Sequence, residues 1–503
     1  MVPSDHTNAG AASIRPGEPT EHLNLALLVV VIGVLMTAVD ATIVVLALPE
    51  IQRTMHIGLA SVIWIVIGYL LIITLVSTQV GRLGDMFGRV RMYEAGFVVF
   101  IIGSMACALA WNELSLIVFR LIQGVGGALI AANSGAVIAD TFPPERRGRA
   151  YGFNSIGYNM GAVLGIILGG VIVTYISWRW IFWINLPIGT LALLVARRVL
   201  RDRGEHEKRR LDWWGMLTLG LGIFGILWAM VMLTSESVDS TIGSLFSAGV
   251  VLLFVFWLIE RAAKDPMLDF DLFKVPTMTP SLLAAMFQSL ASFAVLFLVL
   301  MYLQGVRGLT PIHASLLFIP GYVIGGIVGP FAGRFADRHG PTLPATLGLG
   351  IQVISLLIFA QLGLRTPLWV MVVAYFVSAI GAGCFFPSNN SAVMKAAPPQ
   401  RFGVTSGLLR TFSNVGMVFS FALAIVVASL SIPKREAFAI FNGTSSLSAS
   451  NAAAFTDGIH AAFYASMSLM MIAALLSTAN ARFFWRVARV SAIDQGEKSA
   501  FPK

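Results

Sequence analysis

Apolar runs of about 20 residues alternate with short polar, charged or glycine-rich breaks from residue 25 to residue 482. A run of that length carries a helix across roughly 30 Å of hydrocarbon. The pattern predicts fourteen spans, near 25–48, 61–80, 92–110, 114–139, 150–174, 180–199, 213–233, 242–259, 278–301, 312–333, 342–362, 368–394, 404–430 and 459–482. The expected fold class is an all-α polytopic membrane protein, with both termini on one side.

One break occurs twice. Residues 81–91 read GRLGDMFGRVR, and residues 333–340 read GRFADRHG, 252 residues later. The charges cannot sit in lipid and the glycines let backbones approach closely, so each predicts a tight interfacial turn. The repeat follows the second and the tenth spans, which implies two six-helix halves with two extra helices (213–259) between them. The expected organisation is a disordered tail (1–22), an N-terminal half (23–200), a basic linker with two helices (201–260) and a C-terminal half (261–482). A long outer loop (431–459) interrupts the second half, and a tail (483–503) ends the chain.

Composition agrees: the chain is 57% hydrophobic and 12% charged, with mean hydropathy +0.82. Its net charge of +9 reads as a positive-inside bias rather than as nucleic-acid binding. With the N-terminus inside, inner loops and tails hold 26 Lys/Arg and outer loops hold 6. Both termini are therefore expected in the cytoplasm. The seven bases between Arg197 and Asp212 suit a loop beside anionic lipid headgroups. Cys107 and Cys384 lie in apolar runs and read as small hydrophobes. No histidine lies deep in a span and no Gly-Lys dipeptide occurs, so neither a metal site nor a phosphate-cradling loop is expected.

Four stretches together resemble the major facilitator superfamily, over about residues 25–482. They are the turn with Gly81, Arg82, Gly84, Asp85, Gly88 and Arg89, echoed by Gly333, Asp337, Arg338 and Gly340; Leu116–Gly127 with Arg120 inside a span; Trp178–Gly189; and Asp40–Pro49. More narrowly the chain looks like that family's fourteen-helix drug:proton antiporter branch, the EmrB/QacA-like group. The resemblance implies a bacterial or archaeal cell membrane, alternating access powered by a proton gradient without a cofactor, and a monomer. It also implies that the turns latch the halves, with Asp85 at the N-terminus of the thirteenth helix and Arg89 on Asp140 or Glu145. The branch's fifth-helix motif is present as Gly152, Gly161, Gly165, Gly169 and Gly170, with Ile166 in place of its usual Pro. Val45 stands where its first-helix motif carries Asn. The stripe at 161, 165 and 169 is expected to pack one half on the other.

A charge at a span centre costs about 2.5–3.5 kcal/mol, so the few present are functional candidates. Asp40 and Arg120 fall about 12 and 9 Å from the outer ends of the first and fourth spans. They read as a proton-binding carboxylate with its partner, or as a static ion pair that fixes helix packing. Arg410 reads first as a side chain snorkelling to the interface, with a substrate or coupling role as the alternative. Gln123, Gln288, Tyr302, Asn389, Asn390 and Asn414 are cavity candidates, against helix–helix hydrogen bonding. The expected function is proton-coupled antiport of lipophilic or cationic compounds. Export of a lipid or a specific metabolite is the runner-up, and a membrane-embedded enzyme is disfavoured.

Overall fold

The computed structural model describes residues 20–57, 59–202, 212–232, 240–263, 266, 270–431 and 449–494. The first nineteen residues, most of the basic linker, the middle of the outer loop and the last nine residues lie outside them. The described chain is helical throughout. The first half comprises α1 (Thr20–Met55), α2 (Leu59–Phe87), α3 (Arg89–Ala108), α4 (Glu113–Thr141), α5 (Pro144–Tyr175), the short α6 (Trp180–Trp183) and α7 (Asn185–Val199). Then come α8 (Trp213–Met232), α9 (Ser240–Ala262) and the short α10 (Phe270–Phe273). The second half holds α11 (Met278–Met301), the short α12 (Pro311–Leu316), α13 (Ile319–His339), α14 (Thr342–Phe359), α15 (Leu368–Ala396), α16 (Phe402–Ser431) and α17 (Ala449–Asp494).

Twelve helical segments among the described residues are long and apolar enough to cross a membrane. The predicted seventh span appears as a shorter apolar helix, Trp213–Ala229. The repeat is visible in the packing. α1 lies on α5 as α11 lies on α16, and α3 on α4 as α14 on α15. Two seams join the halves, α5 on α13 and α2 on α16. α8 and α9 pack on each other, and α8 reaches both sides of the α2–α16 seam. Trp64 of α2 stacks on Trp228 of α8 at 5.0 Å.

Three expectations change. The repeated turns are not loops: α2 runs through Asp85 to Phe87, and Gly88 at φ 108° is the one-residue break before α3. In the second half α13 runs to His339, and Gly340 at φ 88° with Pro341 makes a two-residue break before α14. The two carboxylates, Asp85 and Asp337, stay helical because backbone N–H groups of the opposing half satisfy them. At the other end of the chain, α17 starts at Ala449 and continues to Asp494, which shortens the outer loop and makes the start of the tail helical.

The third change concerns α5, one unbroken helix of 32 residues. Side chains added at Gly157, Gly161 or Gly165 would run into Val31, Leu35 and Thr42 of α1, in the same half. The face that meets the other half carries Gly148, against Gly333, and Gly152, against Gly329 and Pro330. Gly170 meets Ile312. Two glycine rows thus let α5 lie close to two helices at once.

Candidate functional site

Asp40 and Arg120 meet. The Arg120 Nη1 donates to Asp40 Oδ2 at 2.7 Å, with side chains 1% and 0% exposed. The same nitrogen reaches Gln123 Oε1 at 2.7 Å, and Gln123 Nε2 donates to Asp40 Oδ1 at 2.8 Å. Arg120 and Gln123 are three residues apart on α4, so they share a face. Arg120 Nε donates to the Ile65 carbonyl at 3.2 Å, and its guanidinium lies 4.1 Å over the Tyr69 ring. α2 therefore holds the arginine from behind while α4 presents it to α1.

Three members of this cluster, Tyr69, Asn185 and Ser104, were not singled out in the sequence. Asn185 Nδ2 donates to Asp40 Oδ1 at 3.4 Å and to Ser104 Oγ at 3.0 Å. Ser104 also accepts from Gln123 and donates to the Phe182 carbonyl. Asn185 lies inside the quoted Trp178–Gly189 stretch, which was its available signal; Ser104 carried none. Both Asp40 oxygens are thus held by side chains of α4 and α7. The carboxylate ties three helices of one half together and has no exposed surface.

The second site is the junction of the halves. Asp85 accepts from the backbone N–H groups of Gly403 and Val404 at 2.8 Å each. Those are the orphan donors at the start of α16, where the positive end of the helix dipole favours an anion. Arg89 donates to Asp85 at 2.8 Å, to Asp140, and to the Pro399 carbonyl at 2.6 Å. It therefore joins α2, α4 and the segment leading into α16. Arg82 donates to the Pro266 carbonyl, next to the inserted helix pair. Gly81 permits the approach, since a Cβ there would collide with the Gly403 carbonyl. Gly84 packs against Asn133.

The second copy is built the same way and holds less. Asp337 accepts from the N–H groups of Gly148 and Arg149, near the start of α5, at 2.8 and 2.9 Å. Its cationic neighbour is Lys395 at 3.8 Å. No ion pair reaches Arg338 among the described residues, and Gly340 has open space where a Cβ would go.

Most of the remaining candidates serve packing. Gln288 Nε2 donates to Gln352 at 3.0 Å and to Ser292 at 3.0 Å, joining α11 to α14. Tyr302 Oη donates to the Gly363 carbonyl, and Asn389 Nδ2 to the Ser281 carbonyl. Asn390 is half-buried on α15. Asn414 is buried with its Nδ2 unpartnered. Arg410 is half-buried on α16 and stands apart from the packing bonds.

The sequence matches the model of the Major Facilitator Superfamily over residues 30–421. The drug efflux pump JefA of Mycobacterium tuberculosis is 31% identical over 82% of this chain and 81% of its own length. The riboflavin transporter RibZ of Clostridioides difficile is 28% identical over 79% of this chain and 86% of its own. In structure, the chain is similar to the proton:xylose symporter XylE at TM-score 0.64 and 13% identity, covering 91% of this chain and 95% of that one. Duplicated halves, latched turns and sequence agree, and the chain belongs to the Major Facilitator Superfamily, a family of membrane transporters rather than enzymes.

Proposed function

We propose that the protein is a proton-coupled exporter of amphipathic small molecules, working by alternating access in the manner of the fourteen-helix efflux branch. In that reading the apolar helices α8 and α16 would join the twelve candidates as the two further spans. The positive-inside bias puts the end carrying Asp85 and Asp337 in the cytoplasm. The observation that carries the reading is the buried Asp40–Arg120 pair at 2.7 Å. A carboxylate held by α1, α4 and α7 takes up a proton only when those helices shift, and once neutral it no longer holds Arg120. Protonation and helix rearrangement are then one event, which is what coupling requires. The efflux function of JefA favours lipophilic drugs as substrates. The substrate named for RibZ keeps export of one specific metabolite as the second reading.

The test is accumulation of a dye panel in proteoliposomes under an imposed proton gradient. Wild-type protein is expected to accumulate substrate only with the gradient. Asp40→Asn is expected to lose accumulation while still letting substrate run downhill. Accumulation unchanged in a well-folded Asp40→Asn variant would leave the pair a structural tie and remove the coupling role.

A further inference from the structure

Among the described residues, one cation within the helical assembly, Arg410, has no counter-ion. Arg410 stands on α16, eight residues in from Phe402, which is about 12 Å along the helix. Its side chain is half-buried and keeps open surface. Its neighbours on the helix fix the direction of that face. Ser406 packs on Gly135 of α4, and Gly407 packs on Ser77 of α2. Thr411 shares a hydrogen bond with Thr78 at 2.8 Å. The Arg410 side of α16 therefore looks across to the opposite half.

No carboxylate or hydrogen-bond acceptor among the described residues pairs with the guanidinium. The titratable group within electrostatic reach is the Tyr158 phenol of α5, in the other half. Tyr158 is 39% exposed, so like Arg410 it keeps open surface within reach of the other. Tyr322 of α13 lies beside it, and the Tyr322 ring meets Tyr375 of α15 edge-on at 5.5 Å. Asn414 is one turn beyond Arg410 on the same face, and its unpartnered Nδ2 is another donor. The embedded Asp40 is already neutralised by Arg120. A guanidinium, a free amide N–H and a phenol with no acidic partner, beside a pair of aromatic rings, make a site for an oxyanion on an apolar body.

We propose that Arg410, Asn414 and Tyr158 form the anion-binding subsite of the transport cavity. The transported class is then amphipathic organic acids, with a carboxylate, sulfonate or phosphate on an aromatic or otherwise apolar body. The proposal rests on the exporter reading and names its substrate class. It replaces the expectation of cationic substrates, since a cationic solute would set a second positive charge against the unpaired guanidinium where the dielectric is low.

Binding separates the two ideas, because it needs no gradient. The protein is placed in neutral phosphatidylcholine nanodiscs and titrated with anionic carboxyfluorescein or cationic rhodamine 6G, read by anisotropy. Wild-type protein is expected to prefer carboxyfluorescein. Arg410→Gln is expected to weaken that binding about tenfold or more, with Arg410→Lys retaining part of it, since the charge stays and the fork is lost. Monodispersity and melting temperature check that each variant folds. Absence of carboxyfluorescein binding, equal affinity in Arg410→Gln, or preference for rhodamine 6G would each overturn the subsite. Adding phosphatidylglycerol distinguishes the source: Arg410-dependent displacement of the dye points to a lipid headgroup, and no displacement to a soluble organic acid. An anion bound through Arg410 but never moved by a proton gradient leaves the subsite standing and removes the exporter reading.

Discussion

Asp85 and Asp337 do the same job with unequal support. Each carboxylate takes two backbone N–H groups near the start of a helix in the opposite half. Asp85 is also tied to Arg89, which reaches Asp140 and the Pro399 carbonyl; Asp337 has Lys395 at 3.8 Å. Hydrogen bonds to a charged group are worth about 1.5–3 kcal/mol each. Asp85→Ala should therefore cut transport more than Asp337→Ala, measured as initial rate at matched expression. Equal losses would mean that the Arg89 links contribute nothing to turnover. Gly88 makes a second residue-scale test. At φ 108° an L side chain is strained, and a Cβ there would also meet the Asp202 carboxylate that caps Val90 at 2.7 Å. Gly88→Ala should cost about 1–3 kcal/mol, seen as a lowered melting temperature, and an unshifted melt would contradict that.

Among the elements, α5 separates what the sequence could specify from what needed the structure. Its glycines signalled close approach, yet a row of small residues does not say which helix approaches. The 161–165 face turned out to serve α1 and the 148–152 face α13, because rotation about the helix axis is set by packing partners. Gly165→Val would press on Thr42 and Val39 of α1, and overpacking of this kind costs about 1–3 kcal/mol. The variant should melt lower; an unchanged melt would show that α1 can shift aside. The Asp40–Arg120 pairing was legible, because depth along two helices is simple arithmetic and a lone buried charge seeks its opposite. Ser104 and Tyr69 were not legible, since neither residue type is unusual in a span and only the meeting of α2, α3 and α4 gives them a role. Tyr158 was missed for a related reason: aromatic residues in a membrane chain read as lipid-facing bulk until an opposing half encloses them.

At the scale of the molecule, two seams lock the halves at the end that carries the repeated turns, while the charged pair lies inside one half. The alternating access proposed above would require the seams to open. Thr78 and Thr411 share a hydrogen bond across the α2–α16 seam at 2.8 Å, so cysteines at these two positions would face each other. In a variant with Cys107 and Cys384 removed, Thr78→Cys with Thr411→Cys should arrest transport when oxidised and recover it when reduced. Full crosslinking without arrest would show that this seam stays shut during turnover.

Proton coupling at Asp40 is central to the proposed function, and it is read most directly as proton movement. Vesicles containing the protein and an internal pH dye are given substrate without an imposed gradient. Wild-type protein should move protons against the substrate flux, and Asp40→Asn should move substrate downhill with no pH change. A substrate-triggered proton signal that persists in folded Asp40→Asn would contradict the account.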